Sequence, residues 1–221
     1  MPEISISAEL TSRCPMLRLG CIQANIAIAS SGEGLLTEIK EQLEIIQKMF
    51  TIDDISKIPA IEASRKAYKA CGKDPARYRL SAEALLRRIV SGKGLYQINN
   101  VVDQLNMVSV ISGFSIGGYD ADKIQGDISF GIGLADEPYR GIGKGELNIE
   151  NLPVFRDELG AFGTPTSDSQ RTEVTSDTGN FLMILIDFGG LDELEPAKLL
   201  AIRLLKDYCN ATNMNAYNIG F

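Results

Sequence analysis

The chain contains no histidine among its 221 residues. It therefore cannot carry a Ser-His-Asp or Cys-His catalytic set, an HExxH zinc helix or an imidazole proton relay. Its four cysteines form no Cys-x-x-Cys pair, which indicates scattered thiols rather than a metal site or a disulfide framework. Any catalysis has to use carboxylates, hydroxyls, amides, lysine, arginine, backbone N–H groups or the substrate itself.

Long apolar runs and nucleotide-binding loops are also missing. No run of about 18 apolar residues occurs, and the N-terminal residues MPEISISAEL place acids where a secretory signal carries lysines. The glycine-rich segment 141–147 lacks the first glycine and the Ser or Thr of a P-loop, so it is typical of a hairpin turn. We expect a cytoplasmic protein that uses no cofactor, no metal and no membrane.

The charges are unevenly distributed. The net charge is −7, yet residues 65–93 contain nine lysines and arginines and only two acids. A basic stretch on an acidic protein can steer a polyanion to one face. The same pattern would fit two helices with solvated charged faces, and Arg79 and Glu83 could form an i, i+4 ion pair.

Hydrophobic periodicity predicts an α+β fold with a mainly antiparallel sheet and flanking helices. The isoleucine-rich segments 3–10 and 16–29 favour strands, as do four later segments, 128–134, 137–142, 152–157 and 181–188. Amphipathic or capped segments predict helices over 34–50, 59–71, 81–92, 98–111 and 194–210, with Ser81 as an N-cap. We expect one domain over 1–221, in which 1–58 packs on a core of 59–190 and 191–221 forms a C-terminal helix.

Two stretches are more polar than packing requires. In 99–127, helical spacing would place Asn99, Asp103 and Asn106 on one face, either as a pocket wall or as a solvated surface. In 162–180, more than half of the positions are Ser, Thr or Asp, which suits turns and also suits a loop that binds a small polar ligand.

These stretches carry a resemblance. Val101, Val102, Asp103 and Asn106 match a Val-Val-Asp-x-x-Asn helix, and 115–120 and 122–126 match the two motifs that follow it without gaps. Further along the chain, Val174, Thr178 and the apolar segment 181–188 follow the same order of motifs. The chain resembles the B3/B4 editing domain of the bacterial phenylalanyl-tRNA synthetase beta subunit, well over 60–190 and loosely elsewhere, and also free-standing B3/B4 proteins.

The resemblance implies binding of a tRNA acceptor end that carries an amino acid, and hydrolysis of the ester of a mischarged tRNA in trans. The family's asparagine corresponds to Asn106. Its histidine is replaced by Gly117, its glutamate falls on Gln170 or Asp168 depending on loop length, and its serine falls on Thr172. These departures imply that the amino acid recognised is not tyrosine. The alternative is a non-catalytic module that binds tRNA, an amino acid or a metabolite in the same pocket.

The candidate residues follow from this resemblance and from the polar loop. We expect Asp168 to orient the attacking water, with hydroxyls and backbone N–H groups of 163–170 in support, Thr164 and Ser169 among them. Gly117 and Gly118 are expected to leave space for the substrate. The other expected substrate contacts are Asn106, Tyr119, Ser167, Gln170 and Thr172, and the expected tRNA contacts are Arg77, Arg79, Arg87 and Arg88.

Overall fold

The computed structural model describes residues 2–220, and over that range the fold is α+β, as the sequence predicts. The helices are α1 (Ala8–Arg13), α2 (Glu33–Met49), α3 (Pro59–Ala70), α4 (Ser81–Val90), α5 (Asn100–Ser112) and α6 (Leu194–Cys209). The strands are β1 (Ile4–Ile6), β2 (Arg18–Asn25), β3 (Ser115–Asp120), β4 (Ile128–Ile132), β5 (Arg140–Gly141), β6 (Gly145–Glu146), β7 (Pro153–Asp157), β8 (Gly160–Thr164), β9 (Ser167–Asp168), β10 (Asn180–Asp187) and β11 (Thr212–Ile219).

A four-stranded antiparallel sheet lies at the centre, in the order β11-β2-β10-β3. Strand β10 is apolar at almost every position because both of its faces are covered. Phe181, Met183 and Leu185 point into a core shared with helices α2, α5 and α6. Leu182 and Ile184 alternate with them and point into a second core, which lies against the other sheet. The period of two therefore places the sheet between a helical layer and a second sheet.

The second sheet has five strands in the order β1-β4-β7-β8-β9. Only the β1–β4 pair is parallel, and the remaining pairs are antiparallel. Strands β5 and β6 form a separate hairpin over 140–146, where the sequence predicts a turn. Because β9 is the last strand of its sheet, its side chains come next to β3, the edge strand of the central sheet.

Helix α5 is fixed at both ends by its sequence. The Asn99 side chain accepts hydrogen bonds from the N–H groups of Val101 and Val102, as an N-cap does. Gly113 ends the helix with a φ of +77°, a left-handed conformation that glycine adopts without strain. The helix therefore begins and ends close to the predicted bounds, and it runs directly into β3.

Three elements differ from the sequence prediction. The segment 3–10 is a strand only to Ile6, because the Ser7 side chain accepts from Leu10 N and starts α1. Ser81 is the first residue of α4 rather than its N-cap, and that position belongs to Leu80. After α6, strand β11 pairs along β2, so 191–221 is more than the expected C-terminal helix. Over residues 2–220, helices long and apolar enough to cross a membrane are absent.

Candidate functional site

The two polar stretches meet at a cavity of about 240 Å³ between α4, α5, β3 and the segment that follows β8. Most of its wall is apolar, and polar groups come from a few positions. The apolar lining residues are Leu85, Ile98, Val101, Val102, Leu105, Ile116, Ile142, Val174 and Phe181, and the others are Ser81, Asn106, Ser109, Gly118, Asp168 and Glu173. Typical small-molecule sites measure about 300–1,000 Å³, so this cavity suits a group of amino-acid size.

Asp168 faces the cavity from the short strand β9. Its neighbour in β8 is Gly163, and its carboxylate reaches across to β3, where Gly118 N–H donates to Asp168 Oδ2 at 3.2 Å. The tight turn between β8 and β9 is held by Thr164, whose Oγ1 accepts from the N–H groups of Thr166 and Ser167. A hydroxyl-rich sequence thus builds a turn that holds one carboxylate in a fixed place.

The pKa of Asp168 is raised to about 7, chiefly because the surrounding protein removes water from its charged form. The Gly118 N–H and the Tyr119 hydroxyl act in the opposite direction, since each stabilises the carboxylate, but they do not offset the burial. Among residues 2–220, no lysine or arginine forms an ion pair with this side chain. Asp168 is therefore a carboxyl group that exchanges its proton near neutral pH.

Tyr119 is not a wall of the cavity but a fully buried part of the core between the sheets. Its ring packs edge-on against Phe162 with centroids 4.9 Å apart. A Cβ built on Gly117 would lie 2.0 Å from the tyrosine hydroxyl, and one on Gly163 would lie 2.2 Å from it. The expectation that Tyr119 contacts the substrate directly is corrected, because its ring and hydroxyl are buried in the core and do not line the cavity.

The same geometry corrects the expected role of the two glycines in β3. The space beside Gly117 is filled by the Tyr119 hydroxyl, so this glycine does not enlarge the cavity. Gly118 does line the cavity, but a Cβ there would lie 2.5 Å from Leu105 Cδ1. Both glycines are explained by close packing, and Gly118 additionally presents its N–H to Asp168.

The remaining residues expected from the polar loop do not line the cavity, and most of their hydroxyls bond to backbone. Ser169 Oγ accepts from Arg171 N, and Ser167 Oγ donates to the carbonyl of Asp168. Thr172 is fully buried with its hydroxyl 3.5 Å from the Phe162 carbonyl. Gln170 is exposed. Of the two positions left open for the family's glutamate, the structure brings Asp168 to the cavity and leaves Gln170 outside it.

Helix α5 contributes only one of its three aligned polar residues. Asn106 lines the same cavity as Asp168. Asp103 is buried elsewhere, where it accepts hydrogen bonds from Ile98 N at 2.8 Å and Ser31 Oγ at 2.6 Å. Asn99 is used by the helix cap. Neither expected role, pocket wall or solvated surface, holds for Asn99 and Asp103, because the first caps the helix and the second is hydrogen-bonded to Ile98 and Ser31.

Glu173 was missed as a cavity residue by the analysis of the sequence. It is half-buried, lines the cavity and follows the short helical turn 170–172 that separates it from Asp168. The available signal was its position directly before Val174, which belongs to the matched motif. Its carboxylate adds a second acidic group to a mostly apolar wall.

The basic stretch is divided between internal ion pairs and the surface. Glu83, only 1% exposed, binds Arg65 at 2.8 Å and Arg87 at 3.0 Å, which joins α3 to α4. The expected Arg79–Glu83 pair is therefore wrong, and Arg87 is not a free cation. Arg88 lies over the Tyr96 ring, 3.8 Å from its centroid.

Arg77 and Arg79 remain exposed, and Arg79 lies two residues before Ser81, which lines the cavity. Ser81, two residues after Arg79, lines the cavity and donates its N–H to the Pro165 carbonyl at 2.8 Å. Lys144, on the hairpin that contributes Ile142, donates to the Thr166 carbonyl at 3.0 Å. Burial and the nearby Arg79 lower the pKa of Lys144, so the two cations lie close to each other.

Comparison with known proteins decides the family. The B3/4 domain family matches residues 63–190, more than half of the chain and the whole of the segment that forms the cavity wall from α4 to β10. The chain belongs to the B3/4 domain family. No curated protein matches it.

A solved structure with a similar fold is the N-terminal fragment of the phenylalanyl-tRNA synthetase beta-subunit from Pyrococcus horikoshii. The sequences are 14% identical and the TM-score is 0.49, with 99% of this chain covered. The B3/4 chain spans about half of that fragment, 54% of its length. Among residues 2–220, clusters of three or more Cys, Asp or Glu side chains that could hold a metal ion are absent.

Proposed function

We propose that this B3/4 protein binds the aminoacylated 3′ end of a tRNA and hydrolyses the ester of a mischarged amino acid in trans. The observation that carries the proposal is the Asp168 carboxyl group, which lines the cavity with a pKa of about 7 and without a cationic partner. A general base works best when its pKa is close to the working pH. Charged tRNA is the substrate that the B3/4 resemblance suggests, and this role would be exercised in the cytoplasm.

The reaction needs one proton carrier and a held ester. Ionised Asp168 takes a proton from a water molecule while the water oxygen attacks the ester carbonyl. The tetrahedral intermediate then collapses, and the ribose oxygen leaves with the proton that Asp168 returns. Aminoacyl esters are activated, so positioning and a single base suffice without a covalent nucleophile.

Asn106, which lines the same cavity as the base, is the side chain suited to hold the amino acid. Its amide both donates and accepts, so it can bind the ester carbonyl or the α-ammonium group. In this proposal the apolar wall of the cavity receives the side chain of the amino acid, and Arg77, Arg79 and Lys144 contact phosphates of the acceptor end.

The second candidate is a binding module without catalysis. It is favoured by the hydrogen bonds that the loop hydroxyls already make within the protein. Thr164 and Ser169 were expected to support catalysis, yet their oxygens take part in hydrogen bonds that build the turn. In this case the cavity would hold the aminoacyl end and protect the ester instead of cleaving it.

The experiment that separates the candidates follows both binding and ester loss on a panel of aminoacyl-tRNAs. Hydrolysis of a subset of the panel by the natural protein, lost in Asp168→Asn with binding retained, supports the editing function. Asp177→Asn, an exposed aspartate of the same polar stretch, is the matched control and should remain active. Binding with slower ester loss than in buffer supports the second candidate, and the absence of both binding and hydrolysis rejects both.

A further inference from the structure

Tyr96 carries the one aromatic ring among residues 2–220 that is largely exposed. It is 60% exposed, whereas the other tyrosines and phenylalanines of that range are buried or half-buried. It lies in the segment 91–99, which joins α4 to α5 without regular secondary structure. A single exposed apolar side chain needs no explanation by itself, so the neighbours of the ring decide what it can do.

The guanidinium group of Arg88 is stacked on this ring. Arg88 Cζ lies 3.8 Å from the ring centroid, and Arg88 Nη1 donates to the Tyr96 hydroxyl at 3.1 Å. Arg88 is half-buried in the last turn of α4 and, within residues 2–220, forms no ion pair with an acidic side chain. The contact therefore fixes the orientation of the ring and leaves the positive charge available for a phosphate.

The backbone of the segment is fixed on both sides of Tyr96. Gly92 and Gly94 turn the chain after α4 with φ values of +75° and +60°, which glycine adopts without strain. Further on, Ile98 N–H donates to Asp103 Oδ1 at 2.8 Å, which ties the segment to α5. A ring that is already held in place loses little conformational entropy when it binds a ligand.

Tyr96 also forms part of the wall of a groove of about 360 Å³ between α2 and this segment. Lys40 is exposed in the same wall and takes part in no ion pair with the described part of the chain, residues 2–220. Asp103 lies there too, but its carboxylate already accepts hydrogen bonds from Ile98 N and Ser31 Oγ. The other lining residues are Leu36, Ile39, Leu43, Gly94, Leu95 and Gln97. A ring, apolar side chains, an amide and a cation are groups that bind an unpaired nucleobase and its phosphate.

The groove lies next to the cavity that contains Asp168. Ile98, two residues after Tyr96, lines that cavity, and Asp103 of the groove follows Val102 of the cavity wall along α5. Two residues of chain span at most about 7 Å between Cα atoms. An RNA strand whose terminal ester lies in the cavity would therefore have its neighbouring bases within reach of the ring.

We propose that Tyr96 and Arg88 form a stacking platform for an unpaired base of the tRNA 3′ end. The inference rests on the proposed function, because the platform positions a nucleotide that precedes the one whose ester is held near Asp168. Arg88 holds the ring, the base stacks on its open part, and Lys40 and Arg88 supply positive charge for the phosphate. Every base has a π face, so the platform holds the strand in place without selecting a sequence.

The test uses hairpin RNAs with an unpaired 3′ end that carry the fluorescent base aminopurine at one position of that end at a time. The protein contains no tryptophan, so the fluorescence of the base is read directly. We expect binding to quench this fluorescence by stacking at a position before the terminal nucleotide, and Tyr96→Ala to remove the quenching. Tyr96→Ala should also raise the Kd about 5- to 150-fold, which corresponds to the loss of one stacked base.

Matched controls separate the ring from general effects on folding or binding. Tyr96→Phe keeps the stacking face and should quench the fluorescence as the natural protein does. Leu134→Ala changes a side chain that is 64% exposed and should leave both the Kd and the quenching unchanged. A blunt-ended hairpin should bind equally to the natural protein and to Tyr96→Ala.

The hairpin RNAs carry no amino acid, so their binding is measured independently of ester hydrolysis. RNA binding without quenching at any position, or with the same quenching in Tyr96→Ala, would overturn the stacking platform while hydrolysis of charged tRNA still decides the proposed function. Failure of the natural protein to bind either the hairpins or tRNA would overturn both.

Discussion

At the scale of the residue, the central fact is that Asp168 is surrounded by protein without a compensating charge. Burial raises its pKa to about 7, against the effect of the Gly118 N–H and the Tyr119 hydroxyl. The sequence could indicate this residue as a candidate because it lies in a polar loop and in the matched motif. It could not indicate the pKa, because that depends on groups from α5 and β3 that are distant in the sequence.

Because its pKa is raised in the folded protein, Asp168 should lower the free energy of unfolding at high pH. The folded protein binds the Asp168 proton more tightly than the unfolded chain, whose aspartate pKa is about 3.9. Between about pH 4 and pH 7 the folded state therefore holds more protons, and the contribution of Asp168 to the free energy of unfolding falls as the pH rises. In Asp168→Asn this penalty is absent. At pH 8 the free energy of unfolding of the variant should therefore exceed that of the natural protein by on the order of 1–4 kcal/mol.

Urea unfolding of the natural protein and of Asp168→Asn at pH 5 and pH 8 measures this effect. The difference in the free energy of unfolding between the two proteins should be smaller at pH 5 than at pH 8, because the penalty accumulates between about pH 4 and pH 7 and is only partly present at pH 5. Asp177→Asn should show no such change between the two pH values. Equal differences at pH 5 and pH 8 for Asp168→Asn would show that the carboxyl group does not titrate near neutrality.

At the scale of the element, local sequence signals located most helices and the central strands. The remaining strands form because of their pairing with neighbouring strands, which local sequence does not show. Strand β10 was predictable because both faces are covered and the segment is continuously apolar. Strand β11 is mostly exposed at the edge of the sheet, so its sequence, TNMNAYNI, lacks an apolar pattern. Helix α1 was missed because the cap at Ser7 is a local hydrogen bond inside an isoleucine-rich segment.

The contact between β3 and the second sheet depends on a glycine whose role was misread from sequence. Gly117→Ala would push a methyl group against the buried Tyr119 hydroxyl, 2.0 Å from the built Cβ position. We expect the variant to lose about 1–3 kcal/mol of stability, since a buried ring can move only by disturbing its neighbours. Thermal or urea unfolding measures the loss.

Gly179→Ala is the matched control, because a Cβ at that position has no atom within 4 Å and its backbone is not left-handed. It should change stability little. If Gly117→Ala were as stable as this control, Tyr119 would not occupy the place that the fold assigns to it.

At the scale of the whole molecule, the sequence showed where the basic residues are concentrated but not which of them are bound in internal ion pairs. The concentration of basic residues in 65–93 is real, but Arg65 and Arg87 are bound by Glu83, and Lys73 donates to the carbonyls of Asn148 and Glu150. Ion pairs across different helices cannot be read from local spacing. The free cations of the basic stretch are therefore fewer than the sequence suggests, and Lys144, which lies near Arg79, comes from outside that stretch.

This redistribution predicts which arginine matters for tRNA. Arg79→Glu should weaken tRNA binding and make it less dependent on salt, because a phosphate contact releases counterions. Arg13→Glu, at the end of α1 and in the wall of a different cavity, is the charge-matched control and should bind as the natural protein does. Binding curves over a series of salt concentrations provide the measurement, and identical salt slopes for the two variants would remove Arg79 from the tRNA-binding surface.

The most direct test of the account is the pH dependence of ester hydrolysis under single-turnover conditions, measured on a sensitive aminoacyl-tRNA and corrected for hydrolysis in buffer. The natural protein should show a rate that rises with pH and levels off above an inflection near pH 7, since ionised Asp168 is the base. Asp168→Asn should lose the inflection and about 10²–10⁴-fold of the rate, with Asp177→Asn unchanged. A variant Asp168→Asn that keeps both the rate and the inflection would contradict the assignment of Asp168 as the base.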